Sequence, residues 1–407
     1  MKRFFSCISE SAAALLRVWR REFYLVFHDV GVMLFFFFLT IAYPVIYTVI
    51  YNPEILENIP IAVVDNSRSE ASRELTRMID ATQGMEVYDY AANLNEARKL
   101  ANEHKVFGIL EIPRDYAKNL GRGQQGIVTF YSDMSLLLRY RTFVSAITDV
   151  QLAAGADIRQ KGIDMIGLPA QGKNELPVES ESTMLGDPTQ GFASFIMPGV
   201  LILILQQSML LGVTMLAAGV KERRRRNGGY DPESVTASPM VTIWGKALCY
   251  VVLYLPICVY VLHIVPLMFS LPHIGDIRQM LLFVFPMLLA TAFLGQAISI
   301  FVTERESSML VIVFTSVVFL FLSGLTWPRY AMNKLWIWIG DAVPATWGVE
   351  GFIRMNSNGS PLWEQSHPYA MLWLLAGCYM VAAYLIVRFT HVGRGPRPVP
   401  QVANQRA

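Results

Sequence analysis

Charged residues along this chain gather in blocks, and the stretches between the blocks are apolar. Uncharged runs occupy 30–53, 191–220, 247–275, 279–303, 307–328 and 365–387. A helix needs about 20 apolar residues to cross the hydrocarbon core of a bilayer, at about 1.5 Å of rise per residue. Each of the six runs reaches that length. Prolines lie inside several of them (Pro44, Pro198, Pro256, Pro286), and such prolines are tolerated where neighbouring helices satisfy the carbonyls they free. The pattern predicts six membrane spans.

The block from 52 to 191 has a different rhythm. IPIAVVD (59–65) is a short apolar run fit for a buried strand, and NSRSEASRELTRMID then takes helical spacing. MEVYDY (85–90) alternates, and LNEARKLANEHK follows as a helix with Asn93 or Asn95 as its cap. VFGILEIP (106–113) reads as a strand, PRDYAKNL as a short helix, GIVTFYS (126–132) as a further strand, and 134–165 as one long helix. Alternating strands and helices favour a small α/β layer with a mixed sheet. The expected fold is therefore a polytopic α-helical membrane protein of six spans with an α/β domain inserted between the first two.

Composition sharpens this picture. Of 407 residues, 53% are hydrophobic and 16% are charged, against about 25% charged in soluble domains. Mean hydropathy is +0.38. Of the four cysteines, Cys7 lies near the N-terminus, and Cys249, Cys258 and Cys378 lie in apolar segments. None falls in the polar block, so no disulfide framework is expected there, and the cysteines read as small apolar fillers. The basic N-terminus followed by an apolar run is built like a signal peptide. That run is too long and aromatic, and lacks a small-x-small site, so it reads as an uncleaved first span.

Lys and Arg near the membrane set orientation. With the N-terminus inside, the inner segments hold Lys2, Arg3, Arg17, Arg20, Arg21, Lys221, Arg223 to Arg226, Lys246, Arg305 and the basic residues beyond 387; the short outer loops hold only Arg278, Arg329, Lys334 and Arg354. Both termini are thus expected to be cytoplasmic. The stretch 15–28 suits an interfacial helix, with Arg17, Arg20 and Arg21 on its polar side and Leu16, Trp19 and Phe23 facing lipid.

Candidate chemistry is sparse. The polar block holds no H-E-x-x-H, G-x-S-x-G or phosphate-binding Gly-rich Lys motif, and its one histidine, His104, has no obvious partner. Asp65 ends a strand and reads as a turn residue in VVDNS rather than as a catalytic acid. No catalytic residue and no metal site are expected. Gln206 and Gln207 in the second span, and Gln296 with Ser299 in the fourth, are costly in lipid. They line a substrate path or bond between helices. FFFF (35–38) reads as lipid-facing bulk. The segment 327–364 is too polar to cross and too apolar for a free loop; it suits two short helices, broken near Gly340 and Pro344, packed on the fifth and sixth spans.

The order of these parts resembles the permease subunits of ATP-binding-cassette (ABC) transporters of the type-2 exporter class. The likeness covers essentially the whole chain. Its most specific stretch is KERRRRNGGYDPESVTASPM (221–240), where Glu222, Gly229, Glu233, Ser238-Pro239 and Gly245-Lys246 stand in that family's order. Tyr230 replaces the usual Thr, and Asp231-Pro232 interrupts the helix. SGLTWP (323–328) and VPATWGVEGFIR resemble the family's signature between fifth and sixth spans.

The resemblance implies a cytoplasmic coupling loop, 221–242, docked on a separate ABC ATPase subunit, with Glu222, Arg223, Arg224, Arg225, Gly229, Glu233 and Pro239 carrying the contact. ATP and magnesium would reside on that partner, and no cofactor on this chain. It also implies a second permease subunit (a homodimer or a paralogous heterodimer), export of amphiphilic or hydrophobic drug-like compounds, and a bacterial inner-membrane location. On this reading residues 1–29 are a cytoplasmic N-terminus, 30–53 the first span, 54–190 an extracytoplasmic domain suited to a periplasmic adaptor, 191–390 five further spans, and 391–407 a cytoplasmic tail. Membrane lipid is an expected contact and nucleic acid is not. The alternative is a membrane-anchored receptor with the inserted domain as sensor.

Overall fold

The computed structural model describes residues 2–51, 56–133, 136–166, 191–229, 231, 233–235 and 237–392. The expectations for Tyr230, Pro232 and the tail from 393, with Arg394, Arg397 and Arg406, lie outside the described residues, as do the side chains of Lys2, Arg3 and Cys7. The chain divides into two units, Met1–Asn52 with Met184–Ala407, and Pro53–Thr183.

The first unit is helical. Among the described residues, the N-terminal helix, Lys2–His28, is followed by six helices long and apolar enough to cross a membrane: span 1 Val30–Tyr51, span 2 Phe192–Arg226, span 3 Pro239–Met268, span 4 Ile277–Ile298, span 5 Arg305–Leu322 and span 6 Leu362–Phe389. Spans 2, 3 and 4 form the centre, with 72%, 56% and 67% of their apolar windows buried, against 22%, 17% and 22% for spans 1, 5 and 6. The central helices are thus apolar all round because protein surrounds them. Cys249 and Cys258 are buried in that core, whereas Cys378 is exposed.

Span 1 turns Val32, Phe36, Thr40, Pro44 and Thr48 inward, and Phe36 is the largest of them. Phe36 is fully buried against Gly212 of span 2, and a Cβ on Gly212 would stand 1.8 Å from its ring. Tyr250 and Tyr254 of span 3 meet the same ring edge-on, at 6.0 and 5.2 Å. Phe38 is exposed, but Phe36 is buried, so the lipid-facing expectation for FFFF fails at Phe36. A π-helical turn runs over Leu34–Leu39, and Phe36 continues the inward face that Val32 begins. Pro44 clashes with the carbonyl four residues before it, and the wide turn ends just ahead of that point. Span 3 repeats the device, with a π-helical turn at Tyr260–Ile264 ahead of Pro266.

Residues 327–364 form the expected helix pair, Lys334–Asp341 and Pro344–Asn358. The second helix packs chiefly on spans 2, 4 and 6, while the first touches span 5. Packing on spans 5 and 6 alone was too narrow an expectation, because Gly348 and Gly351 let Met287 and Phe283 of span 4 approach closely. Arg329 ties the pair together: it bonds Asp341, bonds Glu350 at 3.0 Å and lies 4.7 Å over the Trp347 ring.

The second unit is a four-stranded sheet of order β2-β1-β3-β4, with β1 Ile59–Asp65, β2 Met85–Tyr90, β3 Gly108–Ile112 and β4 Thr129–Ser132. β1 runs parallel to β2 and β3, and β4 is antiparallel to β3. β4 starts later than the apolar pattern suggested. Ile59, Ile61 and Val63 face the core made with helices Glu70–Asp80 and Leu137–Ile166; Ala62 and Val64 face helix Leu94–Asn102. Right-handed crossovers leaving β1's neighbourhood in opposite directions require helices on opposite faces. That is why β1 reads as continuously apolar.

Asp65 is consumed by structure. Its carboxylate accepts from the backbone N–H of Ser67 and Arg68, at 3.0 and 2.9 Å, and from the Ser72 hydroxyl at 2.7 Å. His104 takes a left-handed backbone conformation just beyond helix Leu94–Asn102.

The Phe36 contact predicts that Gly212→Ala lowers stability by about 1–3 kcal/mol, the usual range for overpacking, seen as a drop in melting temperature in detergent. Adding Phe36→Leu should restore part of the loss; strictly additive effects of the two changes would contradict the contact.

Candidate functional site

The N-terminal helix turns Val18, Glu22, Leu25 and Val26 inward at helical spacing. Three of these are apolar, and the fourth is a carboxylate with no exposure. Burying a lone carboxylate would be prohibitive, so its partners decide the local structure. Lys246 Nζ lies 2.7 Å from Glu22 Oε1, Tyr250 donates its hydroxyl to Oε2 at 3.0 Å, and Arg21 NH1 stands at 3.7 Å. Both Lys246 and Tyr250 belong to span 3. Its Gly245 allows the approach, since a Cβ there would meet Val18 at 2.9 Å. Burial works against the charge of Glu22, yet Lys246 and Arg21 together, with hydrogen bonds from Lys246 and Tyr250, hold its carboxyl below the ordinary range.

Arg21 carries the network onward. Its guanidinium donates to Asp231 at 2.7 Å, and Asp231 is almost fully buried. Arg223, at the end of span 2, reaches the same carboxylate at 3.3 Å and Glu233 at 3.6 Å. Asp231 Oδ1 also accepts from the Glu233 backbone N–H at 3.2 Å. The loop is shaped by its ends. Span 2 stops at Arg226, and Gly228 and Gly229, both at positive φ, carry the chain out of the helix. Span 3 restarts at Pro239 in the first helical turn, capped by the Ser238 side chain, which accepts from Val241 N–H at 3.4 Å.

A second cluster stands beside the first. Asp29 breaks the chain between the N-terminal helix and span 1, and its Oδ1 accepts from Val32 N–H at 3.3 Å. Arg305, at the start of span 5, pairs with Asp29 at 2.8 Å and with Glu222 at 3.4 Å. Gly219 makes room for that guanidinium. Lys221 donates to the carbonyls of Ser299 and Val302, each at 2.6 Å, and of Ile300 at 3.1 Å, capping the end of span 4. A crevice of about 370 Å³ opens here, lined by Tyr24, Leu25, His28, Asp29, Val30, Gly31, Arg223, Glu233 and Arg305.

The residues expected to couple are therefore partly brought together. Glu222, Arg223 and Glu233 belong to these clusters; Arg225 is exposed and pairs with Glu304 at 3.1 Å. Arg224 is half-buried. Arg17 and Arg20 are exposed as expected of an interfacial helix, but Arg21 is turned inward onto Asp231. Leu16 and Phe23 are exposed and Trp19 half-buried.

The path candidates lie elsewhere and do not form one cluster. Gln206 is fully buried, and its Oε1 accepts from Ala345 N–H at 2.5 Å, capping the helix Pro344–Asn358. Its Nε2 and both amide atoms of Gln207 have no hydrogen-bond partner among the described residues. Gln296 donates to the Ile243 carbonyl at 3.3 Å, and Ser299 to that of Gln296 at 2.6 Å.

Sequence reading missed Glu22, Asp29, Asp231 and Arg305 as site residues. Glu22 left one signal: an acid at an apolar-stripe position, three residues before Leu25 and four after Val18. Asp231 left none, because its importance comes from two arginines, one of them some 200 residues away along the chain, converging on it.

Six apolar helices, tied by ion pairs at one end and by a capped helix pair elsewhere, define a multi-pass helical membrane protein. Within that class the chain belongs to the ABC-2 family of transporter proteins, whose family model matches residues 31–385, from span 1 into span 6. It is therefore the membrane subunit of an ABC transporter and not its ATPase, and membership implies an ABC ATPase as partner. No curated protein matches the chain.

The Glu22 cluster yields a stability prediction. Removing one partner of a buried ion pair costs about 3–5 kcal/mol, so Glu22→Gln should lower the melting temperature markedly at neutral pH. The carboxyl titrates lower folded than unfolded, so its stabilisation is complete above the ordinary value of 4.5 and is lost as pH falls through the lower folded value. The gap between wild type and Glu22→Gln should therefore close on acidification below that point. A gap that widened in acid would contradict the assignment.

Proposed function

We propose that this chain is the permease half of an ATP-driven exporter, with loop 221–242 and the N-terminal helix as the seat of its ATPase. The observation that carries this reading is the chain of contacts Arg223–Asp231–Arg21–Glu22–Lys246. It joins the end of span 2, the loop, the N-terminal helix and the start of span 3. A force applied to the loop at Glu233 or Arg225 therefore reaches three helices at once. Asp29–Arg305–Glu222 extends that grip to spans 1 and 5.

On this reading the basic end faces the cytoplasm of a bacterial cell, in its inner membrane, with both termini inside. The inserted α/β domain is then extracytoplasmic, and suits hand-off of cargo or contact with a periplasmic adaptor. Two permease subunits pair around a path, and ATP with magnesium is bound on the partner ATPases, whose cycle presses and releases the loop. Amphiphilic, drug-like compounds are the proposed cargo, and Gln206 and Gln207, with amide atoms left unpaired in an apolar core, are the proposed polar points along its path. Family membership favours this reading over a receptor with an outer sensor.

The test is co-purification. Solubilised in mild detergent, the chain should bring an ABC ATPase with it, and Glu233→Arg combined with Arg225→Glu should cut the recovered ATPase by about tenfold, a loss of about 1.4 kcal/mol in affinity. Topology of the variant must first be shown to be native, because arginines near the membrane also set orientation. Full ATPase recovery by a correctly inserted variant would refute the docking assignment.

A further inference from the structure

Two histidines stand outside everything described above. His263 sits on the π-helical turn of span 3, and His273 on the connection between spans 3 and 4. His263 Nδ1 and His273 Nε2 are 2.8 Å apart, with ring centroids 4.9 Å apart. On its other side His273 Nδ1 lies 2.7 Å from Oδ1 of Asn356, near the end of the helix Pro344–Asn358. Asn356 is buried; its Nδ2 donates to the Pro272 carbonyl at 3.0 Å, and its own carbonyl accepts from Ile274 N–H at 3.0 Å. One line of hydrogen bonds thus fastens span 3 and the span 3–4 connection to the second helix of the pair.

The protons in that line have one arrangement. Asn356 spends Nδ2 on a carbonyl, so the atom it offers His273 is an acceptor, and His273 Nδ1 carries a hydrogen. A neutral imidazole then accepts at Nε2, so His263 Nδ1 is the donor. A first added proton settles on His263 Nε2, leaves every donor and acceptor in place, and makes the bond between the rings charge-assisted. A second proton has only His273 Nε2 to occupy. It turns the acceptor into a donor facing another donor, and sets two imidazolium rings side by side.

The geometry points to a two-proton latch: His263, His273 and Asn356 hold span 3 to the helix Pro344–Asn358 until the histidine pair takes up its second proton, and then release it. The charged side chains on neighbouring elements are Asp276 and Arg278 of the next span and Glu350 and Arg354 of the helix pair. Asp276 caps span 4 through the Arg278 N–H at 3.0 Å. Glu350 and Arg354 bond one another at 2.9 Å on the helix that carries Asn356. Span 1, which also packs on the wide turn, offers only the tyrosines Tyr43, Tyr47 and Tyr51, and the cations of span 2 lie at its other end. Among the described residues no carboxylate or cation pairs with either ring.

The reporter is the Ile274 amide, whose bond to Asn356 exists only while the latch is closed. Hydrogen exchange of the full chain in lipid nanodiscs, corrected for intrinsic rates, should show this amide protected from neutral pH into mild acid. It should then lose protection by about tenfold on further acidification, while the amides of span 4 stay protected. His263→Gln keeps a donor toward His273 and cannot charge, so it should hold the amide closed throughout; His273→Asn serves the same purpose if the first variant does not fold. Equal acid opening in these variants would overturn the latch, as would wild-type protection that never changes. Protection lost at neutral pH on adding EDTA would overturn it too, since a metal would then join the rings.

Discussion

A carboxylate sealed from water has to be answered by cations and donors brought to it, and Glu22 imposes that demand on the basic end of this bundle. Lys246 and Tyr250 come from span 3, and Arg21 extends the answer to Asp231, itself buried and itself needing a second arginine. Neither Lys246 nor Arg21 can leave alone without exposing a buried carboxylate to an unbalanced charge. The N-terminal helix is consequently held by electrostatics as well as by the apolar contacts of Val18, Leu25 and Val26. An amphipathic helix lying on a bilayer surface would need no such interior, which separates this helix from a plain lipid anchor.

Elsewhere in the helical unit, shape replaces charge. Phe36 fills the space left by the missing side chain of Gly212, and Gly348 and Gly351 admit Met287 and Phe283 in the same way. In an apolar solvent, helices gain little from hiding hydrophobic surface, so close packing and small residues must do more of the work of association. Hydrogen bonds from side chains complete it: Gln206 caps the helix after Val343, and Lys221 caps span 4.

The parts that were legible beforehand are those governed by local pattern. Six uncharged runs became six spans, the strands and helices of the inserted domain appeared in the expected order, and of the two expected caps Asn93 takes the role. Asp65 proved to be the turn residue that its place in VVDNS suggested. What stayed hidden was non-local. Phe36 is one of four identical residues in a row, and its contacts with Gly212, Tyr250 and Tyr254 are what set it apart. Arg21 looks no different from Arg17 and Arg20 until Asp231 is brought beside it by the loop. Periodicity can say which face of a helix is buried, but not which distant charge waits there.

The helical unit is thus tied at its connections by two kinds of bond that differ in how they can be undone. At the basic end, breaking a link to Glu22 or Asp231 strands a buried ion, so the loop, the N-terminal helix and the start of span 3 behave as one body. At the connection of span 3 to span 4, the tie is a line of neutral donors and acceptors through His263, His273 and Asn356. Parting neutral hydrogen bonds costs less than stranding a buried charge. Under the proposed function, a push delivered at the basic end is not absorbed there and travels along the spans. Relative movement is then concentrated where the ties are neutral, around the wide turn of span 3 and the helix it holds.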